Sequence, residues 1–228
     1  MTEVGIRGRP SPRRRPREGR PGTREELLET AGQVFAEKGL DRATGREICE
    51  RAGANPAAIN YYFGGMEGLY AAVVEEAHSR LLTLEKLSTA VAGKPDPKAK
   101  LKAIIELAID LLTGPISTSW VLRVFGREFV APSFAFEALI ERQGIPKVRI
   151  LRSIVAELMQ RPEDDPAVAR GCLTLIAPCA MLLIADRGTL RRALPGLDLK
   201  RENAAGLAEH LLDYALAGLA AVGREAAR

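Results

Sequence analysis

Groups able to do acid, base or nucleophilic chemistry are sparse in this sequence, and their spacing brings no set of them together. His78 and His210 stand far apart, each among residues of helix-surface type. A lone histidine in such a setting is structural or solvated rather than half of an acid–base pair. Cys49, Cys172 and Cys179 have no C-x-x-C or H-x-x-x-H companion. Cys172 and Cys179, two helical turns apart, could sense oxidation or bind metal, but they read first as small buried hydrophobes. The sequence holds no glycine motif of the kind that cradles phosphate. These residues argue against an enzyme, and neither a metal nor a cofactor is expected. The dense run of hydrogen-bonding groups is elsewhere: Thr44, Arg46, Asn55, Asn60, Tyr61 and Tyr62, interleaved with the small Pro56, Ala57 and Ala58. Amides and phenols on a slim helix suit the edges of bases in a major groove about 12 Å wide, where Ala57 or Ala58 could touch a thymine methyl.

The elements that must position this run can be read from periodicity and caps. Leu27, Leu28, Ala31, Val34 and Phe35 recur at three-and-four spacing, with Thr23 as N-cap and Gly39 as stop, which predicts a first helix. Thr44 followed by Glu47 is a capping box that opens a short second helix, from about Gly45 to Ala52. Asn55 caps a third with Pro56 at its first position, and Ile59 and Phe63 face inward. Helix, tight turn, helix is the spacing of a helix-turn-helix. For Tyr62, packing or a phosphate contact is favoured over a base contact. A fourth helix is expected from Met66 to about Val91. Helices at about 97–113, 117–130, 133–142, 146–160, 165–187 and 200–222 follow, jointed at Gly114-Pro115, Ala131-Pro132, Gly144 to Pro146 and Arg161-Pro162. No alternating strand pattern stands out, so the fold class is all-α.

The stretch TREELLETAGQVFAEKGLDRATGREICERAGANPAAINYYFGGMEGLY, Thr23 to Tyr70, resembles the DNA-binding domain of the TetR/AcrR family of bacterial regulators. The resemblance rests on the joint spacing of Ala31, Phe35 and Gly39, Thr44, the turn Ala52-Gly53-Ala54, and Tyr62-Phe63 followed by glycine and Glu67. Two positions depart from the family pattern: Met66 stands where a phosphate-reaching lysine is usual, and Asn60 where an aromatic is usual. Arg127 to Phe136 also resembles a CecR-type C-terminal domain. Composition sets off an Arg-rich arm (1–22), and the resemblance implies a three-helix helix-turn-helix domain (23–66) and a helical ligand-binding and dimerisation domain (67–228). It implies a transcription repressor that binds double-stranded operator DNA as a homodimer and answers to a small-molecule effector.

Charge complicates that picture. The formal net charge is +4, yet Met1 to Arg24 holds eight arginines against Glu3 and Glu18, so the arm carries +6 and the remainder −2. From Glu25 to Gly65 four basic residues face seven acids. Phosphate neutralisation dominates affinity for DNA, so a reading domain at −3 needs help. The arm, with Arg13, Arg14 and Arg15 at its centre, either supplies it along phosphates or a minor groove or is an idle tail inflated by base composition. With its Gly, Pro and few apolar residues it is expected to be disordered when free. An arm-led architectural or RNA-binding protein is the rival reading, marked by indifference to sequence.

In the second half, Val168, Cys172, Leu175, Cys179 and Leu182 alternate at four-and-three spacing, as do Leu207, Leu211, Tyr214 and Gly218. Helices at 165–187 and 200–222 from two subunits would make a four-helix bundle about a two-fold axis, unless these are simply core positions. Trp120, Phe125, Phe129 and Phe136 cluster with Phe134, and with Arg123, Arg127 and Glu128 they are the expected effector pocket. The apolar run Cys172 to Ala185 is shorter than about 18 residues and contains Pro178, so no membrane span is expected. The odd cysteine count and the lack of a signal sequence point to the cytoplasm.

Overall fold

The computed structural model describes residues 22–115 and 119–225, all of whose regular elements are helical. Arg13, Arg14 and Arg15 lie outside the described residues, as does the side chain of Thr23. The chain runs through α1 (Gly22–Lys38), α2 (Gly45–Ala52), α3 (Ala58–Phe63) and α4 (Met66–Arg80). Thr23 lies inside the first turn of α1 rather than ahead of it. Thr44 caps α2 as its spacing predicts: its Oγ1 accepts from the Glu47 N–H at 3.3 Å. Gly53 ends α2 at φ +61°, a left-handed conformation that costs an ordinary residue about 1 kcal/mol or more.

The long fourth helix expected from the stripe is two helices. The backbone breaks at Leu81 to Thr83, and α5 (Leu84–Val91) restarts with the Thr83 side chain accepting from the Lys86 N–H at 3.1 Å. Lysines hold the freed carbonyls: Lys86 Nζ donates to Ser79 O and Leu81 O, and Lys147 Nζ to Leu82 O at 2.7 Å. Apolar periodicity runs through the break because both helices bury the same stripe, so the stripe alone does not reveal it.

Beyond α6 (Pro97–Thr113) and α7 (Trp120–Val130), α8 (Phe134–Leu139) passes through a π-helical turn at Ile140–Gly144 straight into α9 (Ile145–Met159). The joint expected at Gly144 to Pro146 is therefore continuous helix. The Ile145 N–H reaches back five residues to Ile140 O, and Pro146, which has no N–H to give, follows directly on this widened turn. α10 (Pro166–Ile184) stops before 187 because Asp186 caps a separate α11 (Arg187–Ala193), accepting from the Thr189 N–H at 2.7 Å. A 3₁₀ turn, Arg201–Asn203, leads into α12 (Ala204–Glu225).

Two cores hold these helices. The first joins Leu27, Val34, Phe35, Ile48, Leu69 and Val73 to Trp120, Val121 and Val124, so it straddles position 66–67. The second packs α6, α9, α10 and α12 around Leu101, Ile109, Val155 and Val168. α4 packs against α1 and α3 as well as α7 and α8, which makes it the shared strut. Polar contacts lock the joint. Trp120 Nε1 donates to Glu29 at 2.6 Å beneath the Arg80 guanidinium, and Arg80 pairs with Glu29 at 2.9 Å. The Tyr70 hydroxyl donates to buried Glu128, whose other oxygen takes the Ser133 hydroxyl and N–H.

The faces of α10 and α12 differ from the expected seam. Val168 and Cys172 are buried in the second core, and the outward stripe of α10 is Leu173, Ala177, Met181 and Ile184. Tyr214 and Gly218 of α12 do face outward, while Leu207 and Leu211 are half-buried. α10 is apolar nearly all round, so a heptad count finds a stripe without saying which side meets the core. By length and composition α10 and the segment Arg201–Arg224 could each cross a bilayer, which the shorter apolar run did not suggest.

Candidate nucleic-acid interface and effector cavity

α3 is a six-residue helix whose placement depends on the turn before it. Asn55 Oδ1 accepts from the Ala57 N–H at 2.8 Å in a turn ahead of the helix; regular helix begins only at Ala58 with Ala57 as its cap residue, so Asn55 and Pro56 stand before the helix rather than at its N-cap and first position. That register turns Ala58 and Ile59 into the first core; Ala58, at 9% exposure, is not on the groove-facing side where it was expected beside Ala57. Asn60 and Tyr61 point outward, Tyr61 at 82% exposure. Tyr62 is half-buried, with its ring edge-on to Tyr61 at 4.9 Å. Phe63 is half-buried too and lies under the Arg24 guanidinium, 5.1 Å from its ring centre. The outward set is thus Thr44, Arg46, Asn55, Ala57, Asn60 and Tyr61, with Tyr62 at its edge.

The cations of this domain are largely spent on its own acids. Lys38 meets Glu47 at 2.7 Å, Arg51 bridges Glu37 and Glu47 at 3.0 and 2.7 Å, and Arg46 pairs with Glu50 at 2.8 Å. The Lys38 hydrogen bond, aided by the charges of Lys38 and Arg51, holds the Glu47 carboxyl below its ordinary value. Of these, the exposed Arg46–Glu50 pair is the one a phosphate could open at small cost, since such pairs contribute about 0–1 kcal/mol.

The other half holds an apolar cavity of about 310 Å³. Of the residues grouped in the sequence, Phe125, Phe129 and Phe136 line it; Trp120, Arg123 and Arg127 do not. Trp120 is taken up by the joint with α1. Arg127 donates to the carbonyls of Phe35 and Ala36 at 3.3 and 3.4 Å, and it shares a separate cleft with Arg123. Aliphatic residues of α6 and α10 complete the walls.

Two polar groups in the lining escaped the sequence reading. His78 is 4% exposed rather than solvated, and Lys147 Nζ lies 3.0 Å from its Nε2. Burial and the neighbouring Lys147 charge push His78 down to about 4, so its ring is neutral near pH 7 and Nε2 accepts from the ammonium. Burial brings Lys147 down to about 8. Cys179 also lines the cavity, and burial pushes its thiol, like those of Cys49 and Cys172, above the ordinary value, which suits inert packing. Among the described residues no cluster of three or more histidine, cysteine or acidic side chains could hold a metal.

A short outward-facing helix-turn-helix carried on a helical body with an apolar pocket defines a DNA-binding regulator. Comparison with known proteins gives the family. Residues 27–73 match the model described as bacterial regulatory proteins, tetR family, and residues 97–222 match the C-terminal domain of the HTH-type transcriptional dual regulator CecR. The chain is 33% identical to the HTH-type transcriptional regulator BetI 2 of Chromohalobacter salexigens, over 86% of this chain and 89% of that one. It is 26% identical to BetI of Paraburkholderia phymatum, over 87% and 95%. The solved structure of AibR in complex with isovaleryl coenzyme A and operator DNA superposes with a TM-score of 0.64 at 19% identity, covering 83% of this chain and 98% of that one. The chain belongs to the TetR family of bacterial transcriptional regulators, with a CecR-type C-terminal domain; this is a class of regulators and not of enzymes.

Proposed function

We propose that the protein is a cytoplasmic, effector-responsive repressor that binds a palindromic operator as a homodimer. One observation carries the reading: α4 starts against the short helix that bears Asn60 and Tyr61, and its last turn puts His78 in the cavity wall. An effector that favours a different setting of α4 must weaken DNA binding by the same factor that DNA weakens effector binding. A coupling of about 1–3 kcal/mol changes affinity roughly 5- to 150-fold, enough to derepress a gene. Thr44, Arg46, Asn55, Ala57, Asn60, Tyr61 and Tyr62 form the proposed contact face. Arg13, Arg14 and Arg15 add the phosphate neutralisation that the self-paired reading domain lacks. Residues 23–66 are the proposed reading unit, and 67–228 the effector and dimer unit.

Titration of labelled duplexes, comparing an inverted repeat from beside the gene with random sequence, tests this. The repeat should bind about a thousandfold tighter. Tyr61→Ala should weaken it about tenfold with no change in melting temperature, because that side chain packs on little. Deleting residues 1–20 should flatten the salt dependence by about 0.9 log unit per decade of salt for each phosphate that the arm neutralises. Equal binding to random duplex would favour the arm-led architectural reading, and an unchanged slope would remove the arm from the interface.

A further inference from the structure

The effector cavity is apolar except at one end, where Lys147 enters from α9 and His78 from α4. Two protein groups meet the Lys147 ammonium: Leu82 O at 2.7 Å and His78 Nε2 at 3.0 Å. Three N–H groups are available, so one is left for a ligand. Among the described residues no carboxylate lies within ion-pair distance of it; Glu75, the nearby acid, is bound to Arg142 at 3.0 Å. Lys86 stands on the same side, donating to Ser79 O and Leu81 O. The head end is therefore cationic, and its cation lacks a counter-charge. A half-buried ammonium without an anion bears a desolvation cost, and an anion that enters with its own apolar chain relieves that cost while covering the walls.

We propose that the cavity takes an amphipathic acid, with an aliphatic chain along α6, α7 and α10 and a single carboxylate on Lys147 Nζ. This rests on the reading of the cavity as the effector site and names the chemistry it selects. Burial already holds Lys147 at about 8, so it is charged at neutral pH, and a carboxylate beside it raises that value. The same contact acts on the reading domain. A carboxylate competes with Leu82 O for the ammonium and loosens the break between α4 and α5, the point at which the end of α4 is held. A quaternary or primary amine is repelled by the same group. A neutral alcohol of equal chain fills the walls and leaves the charge unmet.

The test is calorimetric titration of the full-length protein with decanoate, decanol, decylamine and the coenzyme A thioester of decanoate, without DNA. Decanoate should bind tightest, at least about tenfold above decanol, because a hydrogen bond to a charged group is at stake. Decylamine should not bind. Lys147→Met should remove the difference by weakening the acid and sparing the alcohol, and its melting temperature checks that it folds. Ala108→Phe, which fills the cavity, should block acid and alcohol alike. Equal affinity for acid and alcohol, tighter binding of the thioester or the amine, no binding of any probe, or a Lys147→Met protein that keeps its preference for the acid would each overturn the assignment. Operator binding is measured separately, so its loss would strike the regulator reading and not this one.

Discussion

His78 and Lys147 show what can hide between sequence and site. In sequence His78 sits beside Glu75, Glu76, Ser79 and Arg80, all of surface type, and its burial comes from Phe125 and Lys147, 47 and 69 positions further on. One local signal was available: Val74 and Leu81, at four before and three after, put His78 on the edge of the apolar stripe. The same limit explains Ala57 and Ala58, two identical side chains whose fates depend on a single step of helix register set by Asn55. The displaced titration of His78 has a consequence. In the unfolded chain it binds a proton near 6.5 and in the fold only near 4, so the unfolded state binds more protons in between, and stability is lost as pH falls through that window. The loss should be about 3 kcal/mol, or roughly 6–12 °C in melting temperature. His78→Phe should flatten the curve between pH 6.5 and 4 relative to the parent, a difference that cancels the carboxylates common to both. Parallel melting curves for the two proteins would place the acid sensitivity elsewhere.

At the scale of elements, the sequence revealed whatever local caps dictate and concealed what distant contacts impose. α2, with its threonine box and glycine stop, lies where it was expected, and α3 follows within two residues, because both are set by hydrogen bonds spanning four or five positions. The break between α4 and α5 has a local part, the Thr83 cap and the Lys86 contacts, and a distant part, Lys147 on Leu82 O and Gln143, whose side chain accepts from the Leu84 N–H at 3.3 Å; no window of local sequence contains the second. The packing of α7 on α1 is of the same kind. A Cβ added at Gly32 would lie 2.5–2.6 Å from the ring of Trp120, so the glycine exists to let the indole lie flat on the helix and reach Glu29. Gly32→Ala should force the ring aside and cost about 1–3 kcal/mol through overpacking. Trp120 is the sole tryptophan, so its emission reports this joint alone. The variant should shift it to the red and lower the melting temperature. Unshifted emission with parent-like stability would show that α1 and α7 have slack between them.

For the whole molecule, the decisive quantity is how much apolar surface a single chain leaves uncovered. Leu173 at 65% exposure, Met181 at 53% and Tyr214 at 76% lie on two long neighbouring helices, with Ala177, Ile184 and Gly218 between and beyond them. A soluble chain does not present such a face to water without a partner, and the family places this chain among DNA-binding regulators rather than in a bilayer. We propose a second copy as that partner, since it would also solve the recognition problem. One six-residue helix covers only a few base pairs, and a two-fold axis reads the same half-site twice at fixed spacing. In an interface of that symmetry each position meets its partner's surface in both copies, so one substitution in the chain is felt twice. Leu173→Glu combined with Met181→Glu should therefore raise the dimer dissociation constant at least about a hundredfold, as loss of central apolar anchors does. The monomer's melting temperature should change little, since neither side chain is part of a core. Sedimentation velocity over a concentration series measures the first, and operator titration should show affinity falling with it. A variant that stays dimeric would move the interface off α10, and with it the geometry that spaces the two reading helices.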